Sequence, residues 1–429
     1  MTPLENHDIS SVPAEGNERH ALVAINPRGF YIRHPPKPHI LNDFITPDDL
    51  LFHTIHMGVA VVDPHKWTLI VTGLVKNPFA LSLDQLKRLP QKSITSFHEC
   101  YGSPIKPPVE AVWRIGNVVW TGVPLAYLLS LASPLPEARF VWSDGLEQGS
   151  FHGVTADRYQ KDLPLDKAQS AEVLIAYKMN GEPLTKERGG PVRLVVPGWF
   201  GTNSTKWLCR LTLEDKRAEG PYTTTFYNEI DPEDPEGIKK RPVWEVEVNS
   251  IIVQPEPEAL LVGPKVAIEG WAWCFEAVTN VHISFDDGEN WTAAKVETRK
   301  DFSWQKWKIE LDLPCGSYSV MARAESASGQ IQPLSRRRNH VHVISFSVSA
   351  LDALETAIEH YWKTPELEDQ RPEHSIIKFM TYDGFNSIIV TFALLTIRDL
   401  KIARASLQPT NVHSRSLSTY NKLQRNSVS

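Results

Sequence analysis

Residues 93–103 read Ser-Ile-Thr-Ser-Phe-His-Glu-Cys-Tyr-Gly-Ser, and residues 113–125 read Trp-Arg-Ile-Gly-Asn-Val-Val-Trp-Thr-Gly-Val-Pro-Leu. The run at 93–98 predicts a strand that ends just before Cys100. A single thiol at a strand end beside a glycine turn can present one thiolate to a metal. Free cysteines are more often buried apolar side chains, so the residue type alone favours that plainer reading. The sequence around the cysteine has to decide between the two.

The composition is that of a globular protein rather than a disordered or fibrous one. The chain has 429 residues, of which 41% are hydrophobic and 22% are charged, and this length allows two or three domains. The formal net charge of −6 and the lack of a basic stripe argue against a nucleic-acid-binding protein. We therefore expect no nucleic-acid partner.

The cysteines and the chain start indicate an intracellular protein. The four cysteines lie far apart without a Cys-x-x-Cys pair, so they predict neither a disulfide framework nor a zinc site. The first residues lack the features of a signal or transit peptide, which favours the cytoplasm and leaves the mitochondrial intermembrane space and the peroxisome open. The apolar run at 385–397 is shorter than the roughly twenty residues of a bilayer span, so we expect no membrane span.

The pattern along the chain predicts an α+β domain followed by a β-sandwich. Residues 1–45 are proline-marked and predict an irregular leader, and residues 46–235 mix short strands with helices such as 82–89. A charged, proline-marked stretch at 231–237 predicts the linker. Residues 245–347 alternate as an immunoglobulin-like sandwich does, for example at 281–285 and 306–313. Residues 348–429 form an extension that we expect to be partly disordered.

Four ordered blocks resemble the molybdenum-cofactor domain of the sulfite oxidase family. Besides the Cys-Tyr-Gly-Ser segment with 113–125, they read Ala-Tyr-Lys-Met-Asn-Gly-Glu-Pro-Leu at 176–184, Gly-Pro-Val-Arg-Leu-Val-Val-Pro-Gly at 190–198 and Ser-Thr-Lys-Trp-Leu at 204–208. The family cysteine lies in Cys-Ala-Gly-Asn and binds molybdenum. The resemblance, to a haem-free, fungal-type member, therefore implies a molybdenum and molybdopterin cofactor with Cys100 as the metal ligand.

Three segments of the second domain resemble the family's immunoglobulin-like dimerisation domain. They are Gly-Trp-Ala-Trp at 270–273, Phe-Asp-Asp-Gly-Glu-Asn-Trp at 285–291 and Ala-Glu-Ser-Ala-Ser-Gly-Gln-Ile-Gln-Pro at 324–333. A homodimer follows from this resemblance. No haem or flavin domain accompanies the two domains within the 429 residues, so we expect a separate electron acceptor, either oxygen or a soluble cytochrome.

The resemblance also implies which residues bind the pterin. Arg193 and Lys206 match the family's cofactor-binding cations, and the small-residue loop at 198–204, ending in Ser204, offers backbone amides. Taken alone, the two cations would more often be surface charges beside a turn, and the resemblance of the blocks reverses this preference. His56 matches the family's Arg-Asn-His block by its distance to the following strand, whereas Arg33 lies about twenty residues too early and stays an outside possibility.

The substrate pocket departs from the family pattern. Tyr159 and Trp113 match the pocket tyrosine and tryptophan, but Thr54 and Ile105 stand where two substrate arginines are expected. Each lost charge-assisted contact typically costs ~1.5 to 3 kcal/mol of anion binding. The substitutes are Lys106, Arg114 and the arginine run 336–338, although Lys106 and Arg114 could equally be solvated charges. Arg188 also replaces a family histidine near the pterin.

Three functions remain open on the sequence. The first is a haem-free enzyme that oxidises sulfite, a small anion, to sulfate by oxygen-atom transfer. The second is a molybdenum oxotransferase for a less anionic S-oxide or N-oxide, which Thr54 and Ile105 favour. The third is a non-catalytic paralogue with an interaction role. Metal content separates the third from the others, and the dependence of activity on substrate charge separates the first two.

Overall fold

The computed structural model describes residues 17–104, 113–231, 234–335 and 338–350, and these form two compact units. The first unit contains the described residues up to Gln254 together with Glu269–Lys308 and Met321–His342. The second contains Pro255–Ile268, Ile309–Val320 and the described residues from Val343 onward. The predicted extension lies, from residue 351, outside the described residues.

Strands dominate the structure. Before residue 245 they are β1 (Leu22–Arg28), β2 (Tyr31–Arg33), β3 (His53–Ile55), β4 (Gly58–Val62), β5 (Thr68–Gly73), β6 (Phe79–Ser82), β7 (Lys92–Glu99), β8 (Ile115–Pro124), β9 (Phe140–Gly145), β10 (Gly149–Phe151), β11 (Val154–Ala156), β12 (Tyr159–Pro164), β13 (Leu174–Met179), β14 (Glu182–Pro183), β15 (Arg193–Val195), β16 (Leu208–Glu214), β17 (Asn228–Ile230) and β18 (Lys240–Pro242). After it they are β19 (Asn249–Gln254), β20 (Leu260–Val262), β21 (Lys265–Trp273), β22 (Val278–Ser284), β23 (Thr292–Val296), β24 (Gln305–Asp312), β25 (Gly316–Ser326) and β26 (His342–Ser349).

Helices are few and short in the described residues, so the predicted α+β label fits only loosely. They are α1 (Leu83–Arg88), α2 (Leu125–Ala132), α3 (Leu165–Ala168) and α4 (Pro221–Thr224), with 3₁₀ turns at Asn17–Ala21, Pro38–Ile40 and Gly201–Asn203. The helix expected at 82–89 is confirmed as α1. It begins with a capping box, in which the Ser82 hydroxyl accepts from the Gln85 amide and the Gln85 side chain accepts from the Ser82 amide.

Two five-stranded sheets build most of the first unit. One has the order β12-β9-β16-β5-β6, and the other has the order β14-β13-β8-β7 with β15 also paired to β13. A single apolar cluster joins residues of both sheets, such as Leu69, Leu211, Val123 and Ile175, with Leu128 of α2. Burial of these aliphatic side chains, worth about 1.5 to 3 kcal/mol each, holds the sheets together.

The β7–β8 pair places Cys100. The antiparallel register joins Lys92 to Gly122 and Glu99 to Ile115, and the Cys100 amide continues the ladder by donating to the Arg114 carbonyl at 3.0 Å. The strand predicted at 93–98 is therefore confirmed as Lys92–Glu99. Cys100 and Arg114 therefore lie side by side just beyond the paired residues of this hairpin.

The leader is less irregular than its prolines predict. Leu22–Arg28 pairs with β4, and Tyr31–Arg33 pairs with β3 in a register that joins Arg33 to His53. The run Leu-Val-Ala-Ile contains the β-branched residues that strands favour, and the prolines of the leader do not prevent this pairing. The described part of the leader thus supports β3, which carries residues of the site.

The C-terminal strands are largely antiparallel within the first unit, where β19 pairs with β21, and β22 pairs with both β23 and β25. In the second unit β20 pairs with β26 in parallel. The strands expected at 281–285 and 306–313 are observed at Val278–Ser284 and Gln305–Asp312. The predicted linker at 231–237 connects β17 and β18, which pair with each other as a hairpin.

His342 in the first unit gives the fold a pH dependence that can be measured. Its Nδ1 accepts a hydrogen bond from the Ile252 amide at 3.0 Å, and burial, with a smaller effect of His340, lowers its pKa from 6.5 to about 4. The unfolded state therefore binds more protons between these pH values, so stability falls as the pH drops through this window. Between pH 7 and pH 5, we expect the wild type to lose about 2 kcal/mol more unfolding free energy than His342→Asn does.

Urea unfolding at the two pH values measures this difference. His342→Asn keeps a side-chain acceptor for the Ile252 amide but cannot be protonated in this range. The exposed His65→Asn serves as the control and should lose as much stability as the wild type. Equal pH dependence in the wild type and His342→Asn would contradict the prediction.

Candidate active site

A cavity that opens to solvent lies beside Cys100 in the first unit. Its walls come from β3 and the residues flanking it, the end of β7, the residue pair after β9, the start of β15 and the loop that leads to β16. The lining residues are Leu51, Phe52, His53, Thr54, His56, His98, Cys100, Tyr101, Trp120, Glu147, Tyr159, Arg188, Arg193, Gly201, Thr202, Ser204, Lys206 and Tyr227.

The Cys100 thiol is half-buried and has a cation beside it. Its Sγ lies 3.5 Å from Nη1 of Arg114 and 3.8 Å from Oγ1 of Thr54. The same Arg114 nitrogen donates to the Thr54 hydroxyl at 3.3 Å. The thiolate is the form of a cysteine that binds metals. Arg114 therefore occupies the space beside Cys100 that the short Thr54 side chain leaves.

Gly102 makes room for this arginine. A Cβ added to Gly102 would lie 3.1 Å from Nη1 and 3.5 Å from Cζ of Arg114. Since this is closer than most real contacts of a Cβ atom, a side chain here would press on the guanidinium. The glycine of the Cys-Tyr-Gly-Ser segment thus has a steric reason at this position.

Three cations, Arg188, Arg193 and Lys206, line the cavity. Arg193 is buried and donates to the carbonyls of Arg188 and Ser204 at 3.1 Å each, and its guanidinium lies 4.9 Å from the Trp120 ring centre. Arg188 pairs with Asp48 at 2.5 Å, and Lys206 donates to the Thr54 carbonyl at 2.7 Å. Burial lowers the pKa of Arg193 to about 9, with a further effect of Arg188. These positive charges are held close together at an energetic cost.

Burial shifts the pKa values of Lys206 and Glu147 in opposite directions, and the charge of each group opposes the shift of the other. Burial, followed by the Arg193 charge, lowers the pKa of Lys206 to about 7. Burial raises the pKa of Glu147 to about 7, although the Lys206 charge and the Met57 amide, 3.2 Å from its Oε2, act against this. Glu147 is the only carboxylate among the described lining residues, so cations outnumber anions in this cavity.

The histidines of the cavity are neutral near pH 7. Burial lowers the pKa of His56 and of His53 to about 3 and that of His98 well below 6.5, and the neighbouring Arg and Lys charges lower them further. His56 Nε2 forms a short hydrogen bond with the Tyr227 hydroxyl. Both ring nitrogens of His53 are buried without a hydrogen-bond partner among the described residues.

Tyrosine side chains form the wall between His56 and Cys100. The Tyr159 hydroxyl donates to the Thr202 carbonyl at 2.7 Å, and burial raises its pKa and that of Tyr227 well above 10. Both therefore stay protonated and can act as hydrogen-bond donors. Tyr227 has a φ of 58°, a left-handed conformation that is uncommon for an aromatic residue and that is often found at functional sites.

The structure brings most of the predicted site residues together. His56, Cys100, Arg193, Ser204, Lys206 and Tyr159 line the cavity, and Arg114 reaches it through Cys100 and Thr54. The Ser204 hydroxyl accepts from the Val196 amide at 3.1 Å, so it holds the loop in place. Arg33 does not line the cavity and donates to the Leu51 carbonyl at 3.1 Å.

Trp113 stands apart from this group. Trp113 is buried in an apolar cluster, where its ring lies edge-on to Trp273 at 6.4 Å, and it does not line the cavity. Lys106 and Ile105 lie outside the described residues. Of the arginine run at 336–338, the structure describes Arg338, whose guanidinium packs 3.5 Å from the Tyr101 ring centre and 3.9 Å from Glu229.

Several lining residues were not predicted from the sequence. They are His53, His98, Tyr101, Trp120, Glu147, Thr202 and Tyr227. A usable signal existed for two of them, because Tyr101 follows the cysteine directly and His53 precedes Thr54 on the same short strand. The other five depend on which strand ends meet, and nothing in their local sequence indicates this.

The site fits an anionic group with many ring donors and acceptors. An entering anion would favour the charged forms of Arg193 and Lys206, whose pKa values burial lowers. The His53 nitrogens and the Trp120 Nε1 are buried without partners among the described residues, and a polar ligand could satisfy them. A molybdenum pterin with its phosphate meets both needs, and Cys100 supplies one soft ligand for the metal.

Comparison with family models assigns both parts of the chain. Residues 56–222 match the model described as an oxidoreductase molybdopterin binding domain. Residues 240–346 match the model described as a Mo-co oxidoreductase dimerisation domain. The first match contains Cys100, Arg114, Tyr159, Arg193 and Lys206. Among the described residues, no helix has the length and apolar character needed to cross a membrane.

Named relatives and one solved structure agree with these models. Mitochondrial sulfite oxidase of Mus musculus is 30% identical over 76% of this chain, which spans 64% of that protein's length. Sulfite oxidase of Arabidopsis thaliana is 28% identical over 73% of this chain and 89% of its own. Nitrate reductase [NADH] 1 of Phaseolus vulgaris is also 28% identical, over 70% of this chain and 38% of its own.

The solved structure is that of the sulfane dehydrogenase SoxCD from Paracoccus pantotrophus. It superposes with a TM-score of 0.65 at 26% identity and covers 80% of this chain and 90% of its own. The fold, the order of the two matched domains and the thiol beside a cation-lined cavity are thus mutually consistent. The chain belongs to the sulfite oxidase family of molybdopterin oxidoreductases.

Proposed function

We propose that this protein binds a molybdenum pterin through Cys100 and oxidises sulfite to sulfate, passing two electrons to a separate acceptor. One observation carries the proposal: the Cys100 thiol lines a cavity with excess positive charge and has the Arg114 guanidinium 3.5 Å away. A thiolate ligand and an anion-binding cation are thus side by side. The relatives named sulfite oxidase support the choice of substrate.

The cofactor would be held by residues that line the cavity beside Cys100. Arg193 and Lys206 supply positive charge for its phosphate, His56 supplies a neutral ring, and Ser204 fixes the loop that carries backbone amides. Cys100 would be the protein ligand of molybdenum. When bound, the group supplies oxygen-atom transfer and accepts the two electrons.

The substrate would be bound and oriented by Arg114 and the tyrosines. The Arg114 guanidinium offers charge-assisted hydrogen bonds to an oxyanion placed next to Cys100. Tyr159 would shape the pocket, with its protonated hydroxyl held by the Thr202 carbonyl. We keep Trp113 and Lys106 as proposed pocket residues, with Trp113 acting from an apolar cluster against which the lining residues Tyr101 and Tyr227 pack.

A second candidate function rests on the position of Thr54. Its hydroxyl lies 3.8 Å from the Cys100 sulfur, where a neutral group would suit a neutral substrate such as an S-oxide or N-oxide. We also propose that the protein acts in the cytoplasm as a homodimer, which residues 240–346 would form, and that oxygen or a soluble cytochrome accepts the electrons. The electron acceptor and the compartment are predictions from the sequence.

Sulfite-dependent ferricyanide reduction by molybdenum-loaded protein tests the function. We expect saturation at micromolar sulfite and a rate proportional to the molybdenum content. No turnover by fully loaded protein would contradict the sulfite assignment. Reduction of dimethyl sulfoxide or trimethylamine N-oxide by the same preparation, with a chemical electron donor, would then support the second candidate.

Replacing Lys206 by methionine should release the pterin. A lost charge-assisted contact costs about 1.5 to 3 kcal/mol, so we expect roughly ten- to a hundredfold weaker cofactor binding. The fluorescence of oxidised pterin released from purified protein measures the content. Lys161→Met is the matched control, because this lysine is fully buried, bonds only the Tyr222 carbonyl at 3.0 Å and lies outside the cavity. Equal pterin loss in both variants would contradict a specific role for Lys206.

A further inference from the structure

Among the described residues, Arg114 is the cation whose side chain contacts the Cys100 sulfur, and Lys206 bonds the carbonyl of the neighbouring Thr54. Nη1 of Arg114 contacts the Cys100 sulfur and the Thr54 hydroxyl, whereas its Nε has no hydrogen-bond partner among the described residues. No carboxylate of the described residues lies within ion-pair distance of it. Arg114 can therefore bind an anionic group of a substrate placed beside Cys100.

A second guanidinium nearby already has its partners. Nη1 of Arg338 donates to the Tyr101 carbonyl at 2.8 Å, and Nη2 lies 3.9 Å from the Glu229 carboxylate. Its planar group packs 3.5 Å from the Tyr101 ring centre and 4.9 Å from that of Phe200. Tyr101 lines the cavity and Arg338 does not. The Tyr101 ring, rather than the Arg338 charge, forms this wall.

Aromatic rings form much of the remaining wall beside Cys100. Tyr101 and Tyr227 meet edge to face at 5.8 Å, and Tyr159 stacks on His56 at 5.7 Å. Such rings present apolar faces to a ligand while their hydroxyls serve as donors at the edge. A small inorganic dianion gains little from this surface, because it has no apolar part to bury. A substrate with an organic substituent would use it.

We propose that the pocket also accepts organic sulfinates, with the sulfinate charge on Arg114 and the organic substituent against Tyr101 and Tyr227. This inference rests on the proposed function and names a second substrate class for the same site. A sulfinate, R–SO₂⁻, has the sulfur lone pair that sulfite has but only one charge. Each buried methylene is worth about fourfold in affinity, so binding improves as the substituent grows.

The reaction balances with a one-electron acceptor. A sulfinate and one water give a sulfonate, two protons and two electrons, and two ferricyanide ions take the electrons. One sulfur–oxygen bond forms, both O–H bonds of the water break, and sulfur is oxidised by two electrons. The charge of the organic ion stays at −1, so a single guanidinium matches both the substrate and the product.

The test compares benzenesulfinate, methanesulfinate and sulfite as substrates of the molybdenum-loaded enzyme. We expect both sulfinates to be oxidised, with kcat/KM about tenfold or more higher for benzenesulfinate than for methanesulfinate. Tyr101→Ala should lower the ratio of benzenesulfinate to sulfite kcat/KM at least about fivefold, because the aromatic wall is lost. Oxidation of sulfite without oxidation of either sulfinate would overturn the inference and leave the proposed function in place.

A binding measurement separates the inference from the proposed function. Calorimetry with the oxidised holoenzyme compares benzenesulfonate with sulfate, which are the two products. Tighter binding of benzenesulfonate than of sulfate, weakened in Tyr101→Ala, supports the inference even if no substrate is oxidised. The lack of any oxidation would contradict the proposed function. Tighter binding of sulfate overturns the inference.

Discussion

Replacing Cys100 by serine should lower kcat/KM for sulfite by at least about a thousandfold without unfolding the protein or releasing the pterin. A serine hydroxyl is a harder ligand than a thiolate and stays largely protonated near pH 7. Arg193 and Lys206 are held by main-chain carbonyls and not by hydrogen bonds to the thiol. X-ray absorption should therefore count one sulfur ligand fewer on molybdenum while the pterin content stays the same.

The control for this variant is Cys315→Ser. Cys315 is exposed and lies in the second unit, so its loss should leave the rate and the sulfur count unchanged. A Cys100→Ser protein that keeps a tenth of the wild-type rate would contradict the assignment of Cys100 as the metal ligand. The same conclusion would follow from an unchanged number of sulfur ligands.

Local sequence was sufficient where one short segment determines the structure. The strand before Cys100 and the capped helix α1 follow from alternation and from the Ser82–Gln85 pair, and both are confirmed. The cations Arg193 and Lys206 could be placed at a common site because the resemblance ordered their blocks along the chain. The structure brings both to the cavity that Cys100 lines.

Contacts between distant segments could not be read in this way. Trp113 was expected in the pocket, yet its neighbours Trp273 and His342 come from segments more than a hundred residues away and enclose it in an apolar cluster. Tyr227, which contacts His56, has a positive φ itself. The sequence does not predict this conformation, because position 227 is neither glycine nor asparagine. The unpaired His53 nitrogens likewise become visible only when the surrounding strands are in place.

Arg114 could supply the positive charge that the sequence lacks at position 54. The family position at Thr54 lacks its arginine, but the Arg114 guanidinium reaches the same hydroxyl at 3.3 Å from the neighbouring strand end. Gly102 leaves the space for it. If Arg114 binds the substrate, the pocket has a positive charge beside residue 54 that comes from Arg114 instead of from residue 54 itself.

The variant Arg114→Gln tests this condition directly. We expect the KM for sulfite to rise about ten- to a hundredfold, because one charge-assisted contact worth about 1.5 to 3 kcal/mol is lost. The turnover number at saturating sulfite should fall less than the KM rises, since the guanidinium binds the oxyanion in the ground state as well as in the transition state. Arg114→Lys should recover part of the loss, because it keeps the charge but not the planar fork.

The matched control is Arg139→Gln. Arg139 is exposed, donates only to main-chain carbonyls such as that of Ala138 at 3.0 Å, and lies away from the cavity. It should keep the wild-type KM. An unchanged KM in Arg114→Gln would contradict a role of Arg114 in binding the substrate. A kcat that falls as much as kcat/KM would instead place Arg114 in the oxidation step. Loss of a contact made only in the transition state lowers the rate at saturating sulfite.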